Sequence, residues 1–278
     1  MSGNQAQIDY WNGPTGEKWA RHQQEMDRNL AEAADAALKL AHAQPGERVL
    51  DIGCGAGVTS LMLAETVGSS GRVLGVDVSQ PMLALARSRA QARNIQFVEA
   101  DASLYSFQPE FDLIFSRFGV MFFVDPVAAF ANIRKGAAKH GRLAFICWRP
   151  VKENEWVWLP YEAAKPVLPE QTPAHPHAPG PFAFADPDRM KGILSDAGIS
   201  SIAIEKFDGL MDLGPSPQHA SFQLTELMGP TSRALKDADK ATRAKAVDAI
   251  TRVLVDVQKD ANTIRLGMAC WLVSAKAG

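Results

Sequence analysis

The stretch "VLDIGCGAG", Val49 to Gly57, constrains this chain more than any other. An apolar run suited to a buried strand passes directly into glycines at alternate positions, 53, 55 and 57. Glycine reaches backbone conformations closed to other residues and lets the main chain approach a ligand. Placed between a strand and a helix, such a loop cradles a nucleotide-type cofactor. The pattern around it repeats. "VTSLMLAETVG" reads as a helix, with Leu61, Ala64 and Val67 at helical spacing and Gly68 as its stop. "GRVLGVDVS" reads as a strand. "SQPMLALARSRAQARN" reads as a helix with Ser79 at its N-cap and Pro81 in its first turn. "IQFVEADA" and "EFDLIFSRFG" are strands, "DPVAAFANIRKGAAKH" a helix and "GRLAFICW" a fifth strand. Strands alternating with helices imply an α/β fold with a mostly parallel sheet and right-handed crossovers. Strands apolar throughout, rather than at every second residue, imply a sheet covered on both faces.

After Trp148 the rhythm breaks. The expected organisation is an N-terminal helical lid over 1–44, a cofactor-binding core over 45–148 and an insertion or cap over 149–185. The core then resumes over 186–214 ("DPDRMKGILSDAG", "ISSIAIEKF"). A helical insertion covers 215–262, and 263–278 supplies a last core strand. Insertions after late strands cover the end of the sheet where open α/β folds bind ligands. A net charge of -2 gives no field to recruit nucleic acid or an anionic membrane. No run is long enough to span a membrane. The polar start and three scattered cysteines, Cys54, Cys147 and Cys270, point to a cytoplasmic protein with reduced thiols.

Two acids speak to the cofactor. A pyrophosphate on the glycine loop would be repelled by Asp51, which precedes it. A ligand bearing an ammonium would gain from that carboxylate. S-adenosylmethionine carries an ammonium, a sulfonium and a ribose, and no phosphate. Asp77 ends the second strand where a carboxylate can accept from ribose hydroxyls, a position shared with nicotinamide proteins. At the end of the third strand Asp101 can accept from an adenine amino group and the Ala102 amide can donate to a ring nitrogen. A nicotinamide oxidoreductase stays open as an alternative, although its third glycine would fall at position 58, which is Val.

"VLDIGCGAG", "VLGVDVSQPMLALAR", "VEADA" and "FDLIFSRFGVMFFVDP" follow one another in the order and spacing of class I S-adenosylmethionine-dependent methyltransferases. The chain most resembles the small-molecule group that includes ubiquinone and menaquinone biosynthesis methyltransferases. The resemblance implies a Rossmann-like sheet of seven strands with the last antiparallel. It implies that Asp51, Gly53 and Gly55 serve the methionine end and Asp77 the ribose. Val78 and Met82 would flank the adenine, Asp101 and Ala102 would bind its edge, and Ser116 and Arg117 would line the methyl-donor side. "IDYWNGPTGEKWARHQ" resembles the lid of this group, with Tyr10, Trp11 and Trp19 over the sulfonium, where aromatic faces favour a cation. The same tryptophans would serve equally to pin the N-terminus to the core.

No metal is expected. The fourth strand is followed by Ser116, Arg117 and Phe118, which offer no acid, and His175 and His177 lack further ligands in the sequence. An N-P-P-Y-like run and a Pro-Cys nucleophile are also missing. The partner indicated is a small molecule, apolar or aromatic, reached by in-line displacement. Its pocket is expected from Arg117, Phe118, Met121, Phe122 and Trp156, with Trp148 and Trp158 nearby. Arg117 could pair with an acceptor carboxylate or phenolate. Residues 118–123 could equally be a core stripe. His22 and His219 are the first candidates for a base, and no catalytic residue is assigned. A protein that binds the donor without turning it over is the remaining alternative.

Overall fold

A computed structural model describes residues 3–91, 93–170, 175, 177–257 and 262–278. Ala92 and Gln258, at the ends of two expected helices, and residues 171–174 and 176 of the first insertion lie outside the described residues. In chain order the helices and strands are α1 (Gln5–Asn12), α2 (Pro14–Arg21), α3 (Gln23–Asn29), α4 (Ala31–Ala41), β1 (Arg48–Ile52), α5 (Val58–Val67), β2 (Arg72–Asp77), α6 (Gln80–Arg89), β3 (Ile95–Glu99) and β4 (Phe111–Arg117). They continue with α7 (Pro126–Arg134), β5 (Ala137–Trp148), α8 (Glu155–Ala164), α9 (Pro187–Asp196), β6 (Ser200–Asp212), α10 (Pro217–Phe222), α11 (Gly229–Ala234), α12 (Lys240–Val257) and β7 (Arg265–Lys276).

The seven strands form one sheet in the order β3-β2-β1-β4-β5-β7-β6. β1 pairs in parallel with both β2 and β4, and β7 lies antiparallel between β5 and β6. Chain order reverses on either side of β1, so a crevice opens at the C-terminal ends of β1 and β4, where folds of this kind take ligands. The core is a continuous apolar layer with Phe115, Phe130, Phe145 and Phe184 fully sealed. The Phe130 ring lies 5.9 Å from Phe145 and 6.0 Å from Phe184. No helix among the described residues is long and apolar enough to cross a membrane.

Several expectations need correction. Residues 1–44 are not one lid: α4 packs against β4, β5, β6 and β7. Its buried face is Ala33, Ala34, Ala37 and Ala41, small enough to let the helix settle close on the sheet. Arg142 ties down its end, donating to the carbonyls of Ala41 and His42 while pairing with Glu47 at 2.6 Å. Only α1–α3 remain as a cover. The helix expected to run through His140 stops at Arg134, and Ala137 already pairs with Phe111 across a bulge in the β4–β5 ladder. Strand pairing there overrides the helical preference of alanine. Ser79 sits at the N-cap of α6, yet its hydroxyl caps nothing and donates to the Trp11 carbonyl at 2.8 Å.

Candidate active site

The wall facing the crevice is made largely of backbone. β1 ends at Ile52, and Gly53 turns away with φ of +67°. A Cβ on Gly53 would stand 2.6 Å from the Cα of Gly119, so two main chains touch at the switch point. Ser116 locks this contact: its hydroxyl donates to the Ile52 carbonyl at 2.7 Å and accepts from the Gly119 amide at 3.1 Å. Ser116 is therefore sealed and does not line the cavity, contrary to its expected place on the donor side. The side chain of Asp77 holds the loop from the other side. Its two oxygens accept from the amides of Gly55 and Ser79, each at 2.8 Å, leaving further lone pairs toward the cavity. Burial raises its pKa, and the amides of Ser79, Gly55 and Val78 counter part of that rise.

Asp51 also differs from expectation. It is fully buried, and the cavity wall runs over it through Ile52 and Gly53. One carboxylate oxygen accepts from Thr59 at 2.9 Å and Ser60 at 2.6 Å, clamping the first turn of α5 beneath the glycine loop. The other has no partner. Burial pushes its pKa up to about 6 against the pull of those hydroxyls and of Arg117. An ammonium in the cavity would lie above this acid rather than against it. Cys54, inside the loop, is buried, with its thiol pushed well above the usual range by burial.

Gly53, Gly55, Asp77, Val78, Met82, Asp101 and Ala102 line one cavity of about 420 Å³. Asp101 keeps one oxygen on the amide and hydroxyl of Ser103 and has its other oxygen buried without a partner. The opposite wall is aromatic. Phe118, with φ of +61°, lays its ring on Trp148 at 4.2 Å and 8°. Trp148 packs on Trp156 at 4.9 Å, and the Trp156 indole donates to Asn154 at 3.1 Å. Left-handed backbone in a bulky residue is strained, by about 1–3 kcal/mol. Met121 and Phe122 also line the cavity, so residues 118–122 are more than a core stripe. Trp158 is exposed and lies outside it.

The N-terminal helices close the top. Trp11 meets Trp19 at 5.6 Å, Phe122 at 5.5 Å and Tyr10 at 5.3 Å, all edge to face. Asn12 bridges to the sheet side, donating to the Val78 carbonyl and accepting from the Gln80 amide, both at 2.8 Å. The second insertion reaches over from the other side. Lys18 donates to the Glu226 carbonyl at 2.7 Å, Arg243 pairs with Glu226 at 3.0 Å, and the side-chain amides of Asn29 and Gln223 hydrogen bond.

Neither base candidate faces the cavity. His22 lies 2.8 Å and His219 3.4 Å from Glu25, which sits between them behind the wall. The sequence reading missed Asp27, an acid on α3 that does line the cavity. Its flanks, Met26 and the later Leu30, are buried at i, i+4 spacing, which would place residue 27 beside an inward stripe. Nothing local announces what it faces, because Arg117 is 90 positions away.

The unpartnered oxygen of Asp101 and the open glycine loop fit a phosphate-free nucleoside. Residues 49–141 match the methyltransferase-domain family. Demethylmenaquinone methyltransferase of Thermus thermophilus is 31% identical over 191 residues, which make up 63% of this chain and 86% of that enzyme. The chain belongs to the S-adenosylmethionine-dependent methyltransferase family. Aklanonic acid methyltransferase DauC of Streptomyces sp. strain C5 is 38% identical to this methyltransferase over 135 residues, 47% of the chain and 60% of DauC. A 2-phytyl-1,4-naphtoquinone methyltransferase of Trichormus variabilis is 33% identical over 117 residues, 40% of the chain and 51% of that enzyme. With these two the methyltransferase thus shares only about half to three-fifths of the relative's length. Among solved structures, phosphoethanolamine N-methyltransferase 2 of Haemonchus contortus superposes with a TM-score of 0.60 at 17% identity, covering 99% of this chain and 60% of that one. YcgJ of Bacillus subtilis superposes at 0.57 and 18% identity, covering 88% and 98%. Both likenesses concern the fold. Membership of this family makes S-adenosylmethionine the cofactor of the methyltransferase and removes the nicotinamide alternative.

Proposed function

We propose that this methyltransferase transfers a methyl group to a small, planar, quinone-like acceptor held against Phe118, Trp148 and Trp156. One observation carries the reading: a single cavity joins the backbone wall at Gly53, Gly55, Asp77 and Asp101 to that aromatic wall. When bound there, S-adenosylmethionine would supply the electrophilic methyl group. Asp77 would accept from the ribose hydroxyls with the lone pairs its amide partners leave free. The unpartnered oxygen of Asp101 would take the adenine amino group and the Ala102 amide a ring nitrogen, with Val78 and Met82 along the base. Gly53 and Gly55 would keep side chains out of the way of the methionine end. Asp51 would act from beneath, through the α5 clamp and its long-range charge. Tyr10, Trp11 and Trp19 would close over the site and exclude water. Positioning in a closed site is the main protein contribution to a displacement of this kind, and the reading gives no role to a metal. The quinone substrates in the names of the similar enzymes support the acceptor class.

Calorimetry with S-adenosylhomocysteine, followed by a screen of quinols, phenols, amines and thiols with labelled donor, tests the reading. Micromolar binding and turnover on a quinol or phenol are expected. Absence of binding would overturn the donor assignment, and binding with turnover only on aliphatic amines or thiols would overturn the acceptor class.

A further inference from the structure

The cap brings one acid into the cavity that the donor site does not use. Asp27 accepts from Arg89 Nη2 at 3.2 Å through one oxygen, and among the described residues its other oxygen has no hydrogen-bond donor. Arg89 also donates to the Ala56 carbonyl at 2.8 Å, so the acid is anchored to the rim of the glycine loop. Arg117, at the end of β4, lines the same cavity, and its Nε and Nη1 are buried without a partner. A guanidinium left this way is expensive, because buried polar groups lose their water without replacement. Burial lowers its pKa, and the charges of Asp27 and then Asp51 oppose the fall. Asp27 is raised by burial in turn, and Arg117 is the strongest charge acting against that rise. Asp27 is the leading charge acting on Arg117, while Asp27 itself is ion-paired with Arg89 at 3.2 Å. Yet Asp27 and Arg117 form neither an ion pair nor a hydrogen bond with each other, and both line the cavity.

The aromatic wall starts at the residue after Arg117. The left-handed turn at Phe118 sets its ring flat on Trp148, so the guanidinium and a flat apolar surface share one corner. Two opposite charges held apart beside a flat wall complement a planar molecule with an acidic hydroxyl. We propose that Asp27 and Arg117 together select and ionise such an acceptor, an enol, a phenol or a hydroxyquinone. The O–H bond breaks, its electron pair stays on the acceptor oxygen, and the proton bonds to the free oxygen of Asp27. The new oxyanion pairs with the Nε–Nη1 edge of Arg117, and the total charge of the site does not change. This inference rests on the reading of the cavity as a methyl-transfer site. The shared chemistry at Arg117 is an oxyanion, and the carboxylate of the donor is the other possible source. Asp27 sits on the cap rather than on the glycine loop, which favours the acceptor.

The test uses the full chain saturated with S-adenosylhomocysteine. The probes are 7-hydroxycoumarin, whose absorbance shifts on ionisation, and its ether 7-methoxycoumarin. At a pH where the free phenol is mostly neutral, it should bind as the phenolate, about tenfold or more tighter than the ether, the scale of a charge-assisted hydrogen bond. Calorimetry in buffers of different ionisation enthalpy should detect no net proton release, because Asp27 keeps the proton. Asp27→Asn should retain the phenolate band and now release the proton to buffer. Arg117→Met should lose the band and the preference, while Arg117→Lys, which keeps the charge, should retain part of both.

Binding of S-adenosylhomocysteine is measured first. If it fails, the donor reading falls and this proposal with it. If it succeeds and the phenol binds neutral or not at all, the pair alone is wrong. Full proton release in the unmodified protein would overturn the role of Asp27. Loss of S-adenosylhomocysteine affinity in Arg117→Met, with phenol binding intact, would assign the arginine to the donor carboxylate and overturn the proposal.

Discussion

The two halves of the cavity are built by different means. The half formed by β1, β2, β4 and their loops is held by backbone: Gly53 against Gly119, Ser116 between Ile52 and Gly119, Asp77 on the amides of Gly55 and Ser79. All of these lie within one stretch of the chain. The cap is held by side chains that reach across it, Asn29 to Gln223 and Lys18 to Glu226. Backbone geometry restricts residue type at each position, so it leaves a motif. A side-chain pair between distant segments leaves no local pattern. The first half suits a ligand that never varies, and the second is free to differ with the acceptor.

The hardest blow to the backbone half is Gly53→Ala. The new Cβ meets a main-chain atom, and the residue keeps a left-handed φ, so neither strain relaxes through a rotamer. A loss of about 3–4 kcal/mol in urea unfolding is expected, from one strained conformation plus one overpacked contact. S-adenosylhomocysteine binding should vanish with it. A variant of near-native stability that still binds would mean that the two main chains are not in contact.

Asp51 separates the halves by pH. Its carboxyl has a pKa of about 6 in the fold against 3.8 ordinarily, so the folded state binds a proton more tightly than the unfolded chain. Its contribution therefore favours folding at low pH. That contribution declines as pH rises from about 4 to 6 and is level above, a span of about 2–3 kcal/mol. Relative to the parent, Asp51→Asn should gain stability through that window and hold a constant difference beyond it. Urea titrations at several pH values check this. A difference independent of pH would show an acid ionised at its ordinary value.

These two residues mark how far the sequence could be read. The sheet and the residues lining the backbone half were legible, because strands, glycines and strand-end acids sit at fixed intervals. Depth was not. Asp51 and Ser116 stand at the right positions along their strands, but each turns into the layer behind the wall, Asp51 toward Thr59 and Ser60 and Ser116 toward Ile52. Strand position alone does not say which neighbour a polar side chain will find. On the cap, Tyr10, Trp11 and Trp19 were conspicuous as aromatics in a polar stretch. Asp27, Glu226 and Arg243 were hidden, since each acquires its meaning from a residue far along the chain. The two histidines drew attention by type and face Glu25 instead.

Asp77→Asn sharpens the contrast within the donor half. The carboxamide keeps an acceptor for only one of the Gly55 and Ser79 amides, sets its NH2 against the other, and loses the charge and lone pairs toward the ribose. Stability should fall by about 1–2 kcal/mol, the scale of one buried amide left unpaired, and S-adenosylmethionine affinity by about 1.5–2 kcal/mol, near the lower end for bonds to a charged group. An unchanged dissociation constant by calorimetry would refute the ribose assignment.

The smallest expected effect lies at the seam. Asn12 is a cap residue, but its partners are the Val78 carbonyl and the Gln80 amide, both backbone groups of the donor half. It therefore couples a side-chain region to a backbone region. Asn12→Ala removes these two hydrogen bonds across the seam and a third to the Ile8 carbonyl of its own helix, about 1 kcal/mol in all after exchange with water. Global unfolding should barely register this, because α1 contributes no buried residue to the core. Local opening should register it fully: amide exchange over residues 3–20 should quicken about fivefold, and S-adenosylhomocysteine should leave faster by a similar factor, since one opening event governs both. Faster exchange with an unaltered off-rate would mean that α1 and α2 open without uncovering the donor, and the seam would then lie between the cap and the acceptor wall instead.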